Sequence, residues 1–127
     1  MEVRVMDLAD NYAICILAVG FVIMGIGALL KPELVTTQFG IPILSSAGRN
    51  EVRAVYGGFG IFMACALAVA MIRPEMRSGI CFTVAAALLG MAAGRLLSAL
   101  VDRKFDNWPK FYCALEIILA ALISTEI

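Results

Sequence analysis

The sequence predicts an all-α protein, an integral membrane bundle of four antiparallel helices in a single domain spanning residues 1–127. Three observations predict it. The chain is 62% hydrophobic and only 16% charged, where soluble domains run nearer half apolar and a quarter charged. Its mean hydropathy is +0.94. Its apolar residues also fall into four runs of roughly the 20 residues that a helix needs to cross a bilayer core about 30 Å thick.

The first run covers residues 12–30 and carries no charge. It stops at "KPE", where Pro32 discourages continuation. The second covers 51–72 and stops at "RPE". The third covers 78–101 and the fourth 109–124. The flank "MEVRVMDLAD" is not net positive, and no small-x-small site follows the long first run, so the N-terminus reads as a spanning helix rather than a cleavable signal.

The connections have distinct characters. "KPELVTTQFGIPILSSAGRN" is long, and Phe39, Ile41, Ile43 and Leu44 predict that it folds back onto the bundle. "RPEMR" reads as a tight turn. "DRKFDNW" is short and polar, and Trp108 and Tyr112 beside it suit the interfacial aromatic belt. Glycines in "GFVIMGIG", "YGGFG" and "GMAAG" allow close helix approach. The last is a GxxxG, Gly90 to Gly94, expected to pack inside the monomer, with a homo-oligomer as the other use. Cys15, Cys65, Cys81 and Cys113 lie in separate apolar runs without a CxxC, and read as small buried residues.

Several function classes recede on composition. Net charge is zero, so no bulk field attracts nucleic acid, and none is expected as a partner. There is no histidine, P-loop or metal-ligand cluster, so no metal or cofactor is expected. The expected partners are the lipid bilayer and a small apolar or amphiphilic ligand.

The charges that remain are clustered. Alternating spans put the 1–2 and 3–4 loops on one membrane face. Glu51 and Arg53 open the second helix there, Arg95 and Asp102 close the third, and Glu116 lies a turn or two into the fourth. Arg95 to Asp102 rises about 10 Å, as does Pro109 to Glu116 on an antiparallel helix, so Arg95 and Glu116 fall at one depth. Arg95, Ser98 and Asp102 share a stripe, and Tyr112 and Glu116 are an i, i+4 pair. Arg53, Tyr56, Gly57 and Gly60 make a face of the second helix, while Glu51 points toward its rim. An isolated ion in hydrocarbon costs roughly 2.5–3.5 kcal/mol. Arg95 is therefore expected to meet Glu116 or Asp102, with Arg53 close by. Lys31, Arg49, Arg103, Lys104 and Lys110 on this face outnumber Arg4, Arg73 and Arg77 on the other, which predicts termini outside the cytoplasm.

"NEVRAVYGG" opening one helix, "GRLLSALVD" closing the next and "ALE" in the last resemble the DUF4345 family of small bacterial membrane proteins. The likeness covers roughly residues 12–126. Its specific positions are Glu51, Arg53, Ala54, Tyr56, Gly57, Gly58, Gly94, Arg95, Asp102 and Glu116. The family usually carries glycine after the Asp102 position, where this chain has Arg103. The resemblance implies a four-helix bundle of DoxX-like architecture in the bacterial inner membrane. It implies no reaction, since the family's function is unknown.

The leading functional expectation is a membrane enzyme using acid–base chemistry, of isomerase, cyclase or epoxide-opening type, on an apolar or lipid-like substrate. Burial favours a neutral carboxyl and an adjacent arginine favours an ionised one, so one pocket can hold both an acid and a base. Glu116 is expected to handle the proton, with Asp102 as its ionised partner beside Arg95 and Tyr56 donating to a developing oxyanion. Tyr56 and Arg53 would position the polar end of the substrate and Phe59, Met63, Met91 and Leu115 enclose its apolar body, with Glu51, Ser98 and Tyr112 as further substrate-binding residues. The competing expectations are a small-molecule binder or proton-coupled transporter, and a structural subunit whose charges staple the helices.

Overall fold

The computed structural model describes residues 10–42 and 44–127; Arg4, Ile43 and the flank before Asp10 lie outside the described residues. The elements in order are α1 (Tyr12–Leu30), a short α2 (Glu33–Thr36) running into a 3-10 turn (Thr37–Phe39), α3 (Ser46–Val52), a π-helical segment (Arg53–Gly58), α4 (Phe59–Ile72), α5 (Pro74–Asp102) and α6 (Asn107–Ser124). No strand occurs among the described residues.

Local chemistry sets the boundaries. α1 ends where Lys31 N–H bonds the Gly27 carbonyl at 2.9 Å, just before Pro32. Ser45 caps α3 by accepting from Gly48 N–H at 3.0 Å. α3, the π segment and α4 form one helix, Ser46–Ile72. It starts five residues before the expected position 51, because the polar stretch "SAGRN" follows a serine cap and is helical without being apolar. The expected "RPEMR" turn shrinks to Arg73, since Pro74 occupies the first turn of α5 rather than stopping a helix. Likewise α6 starts at Asn107, and Pro109 sits in its first turn, where no intrahelical N–H is required. α5 ends on Arg103, at φ 52° and ψ 34° the one non-glycine residue with positive φ among those described. Lys104 N–H then reaches back to Ala99 O at 3.2 Å. This is the left-handed cap that glycine normally fills.

The helices close into a bundle in which α5 packs broadly on α6 and α1 on α4 with the π segment; the α4–α5 seam is narrower, and α1 and α6 touch little. The dry core lies toward the terminal end, built on Ile14, Leu17, Leu67, Val84, Leu88 and Ile123. Toward the other end α1 and α4 cross on glycines. A Cβ on Gly60 would stand 2.9 Å from the Phe21 carbonyl oxygen, and one on Gly25 would stand 2.9 Å from that of Gly57. The close approach expected of "GFVIMGIG" and "YGGFG" is present. The packing expected of "GMAAG" is not: Cβ atoms on Gly90 and Gly94 would meet nothing within 4 Å. Gly90 meets no neighbour along α5, and Gly94 opens onto a groove.

Three helices, Tyr12–Leu30, Ser46–Ile72 and Pro74–Asp102, are long and apolar enough to cross a membrane. α6, expected as a fourth span, falls short of that measure because its first turn is polar and Glu116 interrupts its apolar run. Large apolar side chains stand exposed all round, among them Ile23, Leu30, Phe62, Phe82, Leu100 and Ile118. This far exceeds what a water-facing surface tolerates, and fits a membrane protein. All four cysteines are free; Cys81 and Cys113 are buried as expected, whereas Cys15 is intermediate and Cys65 exposed.

A polar cluster closes the terminal end. Arg77 donates to Asn11 Oδ1 at 2.5 Å and to the Asp10 carbonyl at 3.1 Å, and pairs with Glu126. It joins α5 to the start of α1 and the end of α6, a role that counting Arg77 as a surface charge missed.

Two substitutions test this packing in opposite senses. Gly60→Ala, meeting backbone, is expected to cost about 1–3 kcal/mol, whereas Gly90→Ala costs nothing measurable. Arg103→Gly is expected to gain about 1 kcal/mol by relieving the left-handed backbone. Unfolding of the detergent-solubilised variants measures all three.

Candidate functional site

The 1–2 and 3–4 connections share one end of the bundle, and the strongest polar contact there is between α5 and α6. Arg95 Nε donates to both Glu116 oxygens at 3.0 Å, and Arg95 Nη2 donates to Oε1 at 2.8 Å. The Glu116 side chain is 8% exposed and that of Arg95 24%. The equal-depth argument from the sequence therefore places the two together. A bidentate pair of this kind is strong and directional. It also occupies both oxygens of Glu116.

Aromatic packing fixes the arginine from behind. The Arg95 Cζ lies 5.5 Å from the Tyr112 ring centre. The Tyr112 hydroxyl donates to Gln38 Oε1 at 2.6 Å, and its ring lies 5.8 Å from Phe39 and 6.1 Å from Trp108. So the long 1–2 connection does fold back, and it does so onto α6. Gln38 is a member of this arrangement that sequence reading missed, because a lone glutamine in a loop carries no pattern. One turn below, Cys113 Sγ donates to Ala92 O at 3.7 Å, holding α6 against α5.

In front of Arg95 opens a groove of about 470 Å³. Tyr56, Met91, Arg95, Ser98 and Asp102 line it, five residues that the sequence singled out. Lys104 and Asp106, at its rim, were not singled out; they pair with each other at 3.3 Å and are well exposed. Asp102 makes no ion pair among the described residues. Arg95 Nη1 likewise has no hydrogen-bond partner among them. The groove thus brings together Arg95, Asp102, the hydroxyl-bearing Tyr56 and Ser98, and the apolar Met91.

Other expected members lie elsewhere. Arg53 is not beside Arg95: its Nε donates to the Leu29 carbonyl at 3.1 Å, closing the C-terminal end of α1. The face expected to unite Arg53, Tyr56, Gly57 and Gly60 is split. Phe59 N–H bonds back five residues to Ala54 O, and the widened turn leaves Gly57 and Gly60 against α1 while Tyr56 meets the groove. Glu51 is exposed and Phe59 is 49% exposed, neither lining the groove. Tyr112 lies behind Arg95, and Leu115 is half-buried outside the groove. Met63 lines a second groove, of about 460 Å³, with Met76 and Ile80. No grouping of acidic or cysteine side chains suited to a metal occurs among the described residues.

Breaking the central pair one-sidedly leaves a charge without its partner. Glu116→Leu is expected to cost about 3 kcal/mol, and the double variant Arg95→Met/Glu116→Leu to recover most of it. A double-mutant cycle on unfolding in detergent measures the coupling; additive losses would show that the pair is not coupled.

The family model described as DUF4345, a domain of unknown function, matches residues 10–125. No curated protein and no solved structure matches the chain. The match takes in the π segment, the groove and both partners of the Arg95–Glu116 pair, and by its extent the chain belongs to the DUF4345 family.

Proposed function

We propose that this chain is a four-helix integral membrane protein, of the bacterial inner membrane, that binds a small amphiphilic molecule in the groove at the Arg95 end of α5. The observation that carries the reading is the division of labour around the guanidinium. Glu116 and Tyr112 hold Arg95, whose Nη1 has no partner among the described residues, and Arg95 lines a groove that also presents Tyr56, Ser98, Asp102 and the apolar Met91. Its volume of about 470 Å³ suits a small ligand.

Packing supports the membrane placement. The pairs Arg77–Glu126 and Arg95–Glu116 both tie α6 to α5, and α5 is long and apolar enough to cross. α6 then crosses with it despite its polar first turn. The excess of Lys and Arg at the groove end favours the cytoplasmic side for it.

An acid–base enzyme on a lipid-like substrate is the second reading. It is favoured by Asp102 and Tyr56 sharing the groove. In that reading Asp102 takes the proton-handling role first expected of Glu116, whose oxygens are both engaged by Arg95.

Native mass spectrometry of the purified protein tests both. Wild type is expected to carry a small amphiphile, and Arg95→Gln/Glu116→Gln to lose it by at least about tenfold, the worth of one charge-assisted hydrogen bond. A wild-type protein without any bound small molecule sinks the binding reading. Asp102→Asn that keeps the ligand but abolishes its conversion would favour the enzyme.

A further inference from the structure

The second groove lies on the same seam as the first. Met63 and Ala66 of α4 face Met76, Gly79, Ile80 and Thr83 of α5 there. The first groove joins Tyr56, on the π segment before α4, to Met91, Gly94 and Arg95 of α5. On α5 the positions 80, 84, 87, 91, 94 and 98 follow the three-to-four spacing of one helical stripe. On the facing helix Met63 and Ala66 lie one turn apart, and Tyr56 stands at the π turn before them. The two grooves are therefore successive stretches of the α4–α5 seam, the more loosely packed of the bundle's main contacts. From Arg95 to Thr83 is 12 residues, about 18 Å along the axis, a little over half of a hydrocarbon layer about 30 Å thick.

The polar end selects the head. Lys104 and Asp106 satisfy each other, so they ask for no counter-charge. Asp102 makes no ion pair among the described residues, and Arg95, Tyr56 and Ser98 line the same groove as donors. That combination is complementary to a head with one cationic centre and one set of acceptor oxygens. A purely anionic head would leave Asp102 uncompensated and repelled.

Resting on the amphiphile-binding reading above, we infer that the ligand is a zwitterionic phospholipid, its ammonium on Asp102, its phosphate on Arg95, and one acyl chain lying along the α4–α5 seam into the Met63–Met76 groove.

Glycines on the seam make the test clean. Cβ atoms on Gly79 and Gly20 would each meet nothing within 4 Å, so a side chain can leave the backbone at either without a clash; Gly79 lines the distal groove, and Gly20 lies on α1 outside it. The probes are single-chain phosphoethanolamine lipids with a palmitoyl or an octanoyl chain, and the palmitoyl phosphoglycerol lipid. Retention by delipidated protein is read by native mass spectrometry. Wild type is expected to prefer the palmitoyl phosphoethanolamine head over phosphoglycerol about fivefold, the worth of one exposed ion pair, and Asp102→Asn to erase the preference. Gly79→Leu is expected to weaken the palmitoyl lipid about tenfold, as loss of roughly two buried methylenes would, while leaving the octanoyl lipid unchanged; Gly20→Leu changes neither. Equal retention of the two heads by wild type overturns the inference, as does a Gly79→Leu protein that behaves like Gly20→Leu. If the octanoyl lipid still binds in either event, the amphiphile reading stands without the seam. If wild type retains no probe, both fall.

Discussion

An arginine in apolar surroundings must be matched, and the groove end of this bundle is organised around that requirement. Arg95 stands where α5 is otherwise apolar, and the bidentate contact from Glu116 compensates it. To deliver that carboxylate, α6 must run antiparallel to α5 at a set height, which the short 3–4 connection and the left-handed turn at Arg103 provide. To hold the guanidinium plane, Tyr112 must cover one face, and Tyr112 is itself held by Gln38 from the 1–2 connection. A single charge thus recruits α5, α6 and the long loop into one arrangement. Replacing the pair with apolar residues would often be tolerated for stability alone; its geometry is what holds Arg95 in the groove's lining.

The parts of this that the sequence made legible are those governed by length and period. Helical rise alone put Arg95 and Glu116 at one height. The seven-residue spacing put Arg95, Ser98 and Asp102 on one stripe, and the groove contains all three. The parts that stayed hidden depend on local exceptions. The glycine-rich "RAVYGG" forms a π turn instead of a regular helical turn, so Arg53 and Tyr56, alike in their motif, part company. Glu126 follows the last apolar run, so nothing marked it as the partner of Arg77. "GMAAG" has the letters of a packing motif, but which side of α5 meets its neighbours is decided by the whole bundle, and a Cβ on Gly90 or Gly94 would meet nothing within 4 Å.

The two ends of the molecule differ in kind. Near the termini, branched side chains interdigitate and the Arg77 cluster seals the helix ends. Near the groove, glycines bring α1 and the π–α4 helix together backbone to backbone, which leaves few side chains to fill the space beside α5. A groove on the α4–α5 seam is the geometric result. Tight contact on one side of the Ser46–Ile72 helix is matched by an opening on the other.

The π turn carries a consequence for chain length. A turn closed five residues back holds one residue more than an α turn, so it acts as a phase shifter between α3 and α4. Val52 before it and Gly60 after it are both buried, although the stretch between them does not keep regular helical step. The same residues wound straight through as α-helix would rotate one end of that helix against the other by about a quarter of a turn or slightly more. Tyr56 would swing off the groove, or Gly60 off α1. A relative without the π turn therefore keeps both surfaces only if it is one residue shorter across this segment, independently of which side chains it carries.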